Sequence, residues 1–75
     1  MKLRFIDGYE FTATSKRDAC EKIWRSMRFK IYKTLEEWMA GNAKAMGNAL
    51  AVSLTTKSID EHFDDMVRTG VLIRI

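Results

Sequence analysis

The chain has 75 residues, 13 Lys/Arg against 10 Asp/Glu for a formal net charge of +3, 47% hydrophobic and 31% charged residues, and no proline. This is the composition of a globular protein, which excludes a disordered tail, and the length excludes a second hydrophobic core, so residues 1–75 read as one domain. One cysteine, Cys20, excludes an internal disulfide and suits a reducing compartment, and no apolar run reaches membrane-spanning length.

Residues 1–14 read as a β-hairpin turning at Asp7-Gly8. A two-residue loop would set Phe5 across from Glu10 and Arg4 across from Phe11, mixing apolar and charged side chains on both faces. A three-residue loop, Ile6-Asp7-Gly8, sorts them. Phe5 then faces Tyr9, Leu3 faces Phe11 and Met1 faces Ala13, while Arg4 meets Glu10 and Lys2 meets Thr12 on the other face. Gly8 falls at the left-handed position of a bulge, where lacking a Cβ matters most. Because a one-residue slip inverts both faces, the hydrophobic pattern selects the bulged register.

Ser15 caps a first helix with Asp18 in its first turn. Cys20, Ile23, Trp24 and Met27 form its apolar stripe with Ala19 beside them, and Arg17–Glu21, Asp18–Lys22 and Glu21–Arg25 pair four residues apart on the outer face. Residues 28–33 read as an extended connector. Thr34-Leu35-Glu36-Glu37 is a capping box that opens a second helix, with Leu35, Trp38, Met39, Asn42 and Met46 on one face. Ala40, Gly41, Ala43 and Ala45 make this helix thin enough for close approach, and Gly47-Asn48 is the expected end.

Residues 50–55 alternate Leu50, Val52 and Leu54 with Ala51, Ser53 and Thr55, the pattern of a half-buried strand. Ser58-Ile59-Asp60-Glu61 opens a third helix with Ile59, Phe63, Met66 and Val67 as its stripe, and Gly70 stands where a left-handed cap belongs, with Val71 placed to touch Met66. A final strand has Val71, Ile73 and Ile75 on the inner face and Leu72 and Arg74 on the outer. The expected fold is therefore α+β, in the order β-β-α-α-β-α-β, with one sheet and helices packed on one face. Lys2, Arg4, Glu10, Thr12, Ser53, Thr55 and Arg74 would lie on the open face.

Neither a glycine-rich phosphate loop nor zinc-ligand spacing is present, and no nucleophile has a histidine near it in sequence, so no catalytic residue, metal or cofactor is expected. His62, the one histidine, lies in Asp60-Glu61-His62-Phe63-Asp64-Asp65. A metal site with Asp65 or Glu61 is the sharper reading, and a solvated helical face the commoner one. Cys20 reads as a small buried hydrophobe, and Trp24 and Trp38 as core.

Charge is uneven along the chain. Up to Lys33 there are nine Lys/Arg against four Asp/Glu, and beyond it four against six. The cluster Arg25, Arg28, Lys30 and Lys33, interleaved with Phe29 and Tyr32, has the character of a nucleic-acid surface, where cations track phosphates and bases stack on aromatics. The alternative is a solvated connector that sends its aromatics into the core. Lys2, Arg4 and Arg74 converging on the sheet face form the second candidate binding surface.

Phe5-x-Asp7-Gly8 followed by Ala13-x-Ser15, then Leu35-x-Glu37-Trp38-Met39 and the late Gly70-Val71-Leu72, resemble short uncharacterised proteins encoded by phages and other mobile elements. The resemblance implies a stoichiometric role, a small protein that binds a host defence or replication protein and blocks it as anti-CRISPR proteins do. It carries over no functional residue. The expected activity is accordingly non-enzymatic binding of a host protein in the cytoplasm, the N-terminus entering a strand at once without a signal-peptide pattern. A small nucleic-acid-binding regulator is the alternative. A homodimer through a sheet edge or the second helix is also expected, because Leu72 is assigned to the solvent face, Trp38 sits on a thin helix, and so small a core gains from a shared surface.

Overall fold

A computed structural model of the chain describes residues 1–27 and 31–75. The fold is α+β: three antiparallel strands, β1 (Lys2–Phe5), β2 (Glu10–Thr12) and β3 (Leu72–Arg74), in the order β2-β1-β3, and three helices, α1 (Lys16–Ser26), α2 (Leu35–Leu50) and α3 (Ile59–Thr69). The helices cover one face of the sheet, burying Leu3 and Phe5 while Lys2 and Arg4 stay exposed. The whole measures 25 × 25 × 22 Å.

The hairpin adopts the bulged register. Lys2 pairs with Thr12, Leu3 with Phe11 and Arg4 with Glu10. The Gly8 amide donates to the Phe5 carbonyl at 2.8 Å, the Phe5 amide donates to the Tyr9 carbonyl at 2.8 Å, and Gly8 has φ +96°. Asp7 tightens the turn by accepting the Tyr9 amide on its own carboxylate at 2.9 Å.

Side-chain oxygens start all three helices. Ser15, Thr34 and Ser58 accept the amides of Asp18, Glu37 and Glu61 at 3.0–3.1 Å. The reciprocal arm of the Thr34 box differs from the expected one, since the Glu37 carboxylate takes the Lys33 amide at 3.3 Å in place of that of Thr34. Before α1, Asp18 accepts the Thr14 amide at 2.9 Å. The stripes are buried as their spacing implies: Ala19, Cys20 and Ile23 from α1, Leu35, Trp38 and Met39 from α2, Ile59, Phe63 and Met66 from α3. Gly70 caps α3 at φ +82°, and Val71 is buried, as is Met66.

Three local expectations are corrected. Helix α2 passes Gly47-Asn48 and ends at Leu50, because Ala51 takes the left-handed cap position at φ 56° and donates its amide to the Gly47 carbonyl at 3.1 Å. Residues 50–55 consequently supply no strand. The alternation holds only from Val52 to Leu54, with Leu54 buried, Ser53 exposed and Leu50 also exposed, and the segment packs against α3. Asp65 accepts the Thr55 amide at 2.8 Å, and His62 Nδ1 lies 2.8 Å from the Thr55 carbonyl, so two helix side chains do what a neighbouring strand would have done. In β3 the faces are inverted. Leu72 pairs with Phe5 and is fully buried, whereas Ile73 pairs with Arg4 and is 44% exposed. The bend at Gly70 sets this phase, burying Val71 and Leu72 in succession.

Candidate functional site

Two rows of side chains cross the uncovered face of the sheet. One reads Thr12, Lys2 and Ile75, the other Glu10, Arg4 and Ile73. Arg4 reaches Glu10 at 3.6 Å, an exposed pair that contributes little to stability. Ile73 and Ile75 stand side by side on the same face, 44% and 45% exposed. Of the three cations expected to converge there, Lys2 and Arg4 are present. Arg74 is not, because it pairs with Leu3 and therefore lies on the helix side, its guanidinium 6.0 Å above the Phe63 ring. Ser53 and Thr55 are likewise absent from this face. The outer edge of β2 is partly closed, since Lys22 Nζ donates to the Thr12 carbonyl at 2.6 Å.

The basic cluster is less uniform than its sequence. Arg25, in the last turn of α1, pairs with Glu21 at 3.4 Å, and Lys33 lies exposed just before α2. Arg28 and Lys30 lie outside the described residues. Tyr32 turns inward and rests on the bare backbone of Gly41, which accounts for a glycine in the middle of α2.

Beside that contact is a cavity of about 180 Å³. Phe5, Ile23, Trp38 and Asn42 are its buried lining, Met27, Tyr32 and Met46 are half-buried walls, and Asp7, Ser26 and Ala45 are exposed at its rim. A second, broader and more open cleft of about 620 Å³ runs between the starts of α2 and α3. It holds Arg17, Glu36, Lys57 and Asp60, equal in both signs, with Arg17 and Glu36 already 3.6 Å apart.

His62 is not a solvated helical residue; it is fully buried. Its ring meets Trp38 edge-on with centroids 5.5 Å apart, and Nε2 lies 3.0 Å from Asn42 Nδ2. Burial holds its pKa below the ordinary 6.5, against the opposing influence of the Thr55 carbonyl and Asp65. Among the described residues no three His, Cys, Asp or Glu side chains gather to hold a metal. Cys20 is fully buried, and its thiol is pushed up to about 12 by that burial, so it carries no thiolate near neutral pH. Trp24 is half-buried with its Nε1 unpartnered among the described residues.

Sequence reading missed Asn42 and Ile73. Asn42 had a usable signal, a polar amide on an apolar stripe, which demands a buried partner. Ile73 had none, because the phase of a three-residue strand after a glycine bend is not written in its own alternation. Leu72 and Trp38, the two side chains that suggested self-association, are both used inside the domain, 0% and 1% exposed. No helix among the described residues is long and apolar enough to cross a membrane. Comparison with protein-family models, with curated proteins and with solved structures finds no match.

Proposed function

We propose that the protein is a non-enzymatic protein-binding module that blocks a host protein, the role implied by its resemblance to phage-encoded proteins. The observation that carries this reading is the open sheet face, where Ile73 and Ile75 stand exposed next to Lys2 and Arg4. Two adjacent aliphatic side chains on a rigid sheet can be desolvated together, and the cations beside them steer an acidic partner into register. Neither isoleucine supports the core from this position.

Ile73→Lys is the deciding variant. It should retain the circular dichroism and melting temperature of the parent within a few degrees, and lose the host protein that the parent captures from lysate. Continued capture of the same protein by the variant would sink the assignment of the face. Sedimentation of the free protein through the micromolar range separates a second copy from a host partner as occupant, since a persistent monomer leaves the face available.

The competing reading is a nucleic-acid regulator using Arg25, Arg28, Lys30 and Lys33. The ion pair of Arg25 with Glu21 weakens it. A gel shift at low salt discriminates, because phosphate contacts are strongest there and fall steeply as salt is added.

A further inference from the structure

The cavity between α1, α2 and the hairpin turn has its own chemistry, independent of the sheet face. At about 180 Å³ it exceeds the volume of about 150 Å³ at which a dry apolar cavity accommodates one benzene ring. Phe5, Tyr32 and Trp38 offer aromatic surface, and Met27 and Met46 offer thioethers, which make favourable contacts at ring edges.

Asn42 selects what enters. The Thr55 carbonyl can only accept, so His62 Nδ1, 2.8 Å away, carries the proton and Nε2 is an acceptor. Nε2 therefore requires a donor from Asn42, which fixes the amide with Nδ2 toward α3, at 3.0 Å from Nε2 and 3.5 Å from Met66 Sδ. Oδ1 is thereby turned to the other side, where Asn42 lines the cavity. Asn42 is only 7% exposed, and among the described residues its Oδ1 has no donor. An acceptor at a cavity wall with no protein donor is satisfied by water or by a ligand that brings a hydrogen, and a ligand that displaces the water without replacing its hydrogen bond binds less well. At the rim, the Asp7 carboxylate disfavours anionic ligands.

We propose that this cavity binds a small uncharged aromatic molecule bearing an O–H or N–H on its ring, of the phenol or indole class, with that hydrogen donated to Asn42 Oδ1. Phenol and toluene are the decisive pair of probes, close in shape and differing in the donor. Toluene is the more hydrophobic, so an apolar cavity alone favours it. A cavity governed by Asn42 reverses the order, to about fivefold tighter binding of phenol for one satisfied hydrogen bond.

The measurement is a titration of protein carrying ¹³C-methyl methionine. Met27 and Met46 line the cavity, whereas Met39 lines the other cleft and serves as the internal control. Phenol and indole should shift the Met27 and Met46 methyls saturably and leave Met39 in place, with toluene weaker and benzoate without effect. Ala45→Trp, a substitution at the exposed rim, should abolish the shifts while the spectrum stays dispersed. Toluene binding as tightly as phenol would overturn the proposal, as would Met39 moving together with Met46. No saturable shift with phenol would overturn it as well.

Discussion

Tyr32 lies so close to Gly41 that a Cβ at this position would overlap its Oη, Cζ and Cε1 atoms. Alanine in a helix interior normally stabilises by about 1 kcal/mol relative to glycine. Overpacking opposes that gain by about 1–3 kcal/mol, so Gly41→Ala is expected to give no gain and to destabilise by up to roughly 2 kcal/mol. In a Tyr32→Ala background the obstruction is gone, and the same substitution should become neutral or stabilising. A double-mutant cycle in urea reads the change of sign. Ala51 is the converse case. It holds φ 56°, a left-handed conformation that costs a residue with a Cβ about 1 kcal/mol or more. Ala51→Gly removes this strain at the end of α2, and despite a more flexible unfolded chain it should raise stability by roughly 0.5 kcal/mol. A lower urea midpoint for Ala51→Gly would show that the cap is not strained.

At the scale of elements, the contact between α3 and residues 51–58 rests on two titratable side chains. His62 is held below its ordinary 6.5 by burial, so below that pH the unfolded chain binds a proton that the folded chain refuses. Its contribution is complete above pH 6.5 and is lost as pH falls from 6.5 toward the depressed folded value. Protonation would also put a hydrogen on Nε2 facing the Asn42 amide, a donor against a donor. Asp65 is depressed below 3.8, chiefly by the Thr55 amide and then by Arg68, so its contribution is present above 3.8 and lost in stronger acid. Urea midpoints should therefore fall between pH 7.5 and 5, where the single histidine is the side chain expected to titrate. Stability that stays flat across this interval would remove His62 from the account. Much of this layer was legible in the sequence. Ser15, Thr34, Ser58 and Gly70 mark helix boundaries by local chemistry, and the hairpin register followed from sorting charged and apolar residues. Residues 50–55 were misread because alternation reports which side is buried and is silent about what covers it. A helix offering His62 and Asp65 three residues apart satisfies an extended backbone as well as a strand does. The cavity was illegible for a related reason: Phe5, Ile23 and Trp38 each read as core, and no single stripe reveals a gap where three meet.

For the molecule as a whole, size governs the response to injury. A chain of 75 residues has a net stability of about 4–11 kcal/mol at the usual 0.05–0.15 kcal/mol per residue. Phe63 is fully buried on α3, with Lys16 and Arg74 each 6.0 Å from its ring centroid. Phe63→Ala removes about 3–5 kcal/mol, a large part of that total. The variant should melt far below the parent or be unfolded at 37 °C, as a thermal scan by circular dichroism would show. A loss of only a few degrees would mean that the core closes around the gap. The open sheet face answers differently, because Ile73 in β3 and Ile75 just after it join the sheet through their backbones and keep their side chains partly exposed. On the proposed function, stability and binding belong to opposite faces of one three-stranded sheet.

The Thr55 amide belongs to no helix or strand, yet Asp65 holds it at 2.8 Å. In deuterated solvent it should exchange as slowly as a sheet amide near neutral pH. Acidification charges His62 first, setting its Nε2 hydrogen against the Asn42 amide while Nδ1 still holds the carbonyl, and releases the amide later, as Asp65 takes up its proton. Residues 51–58 would then open as a unit while the β1 amides remain protected. A protease working in mild acid should make its first cut in this segment and leave the hairpin whole.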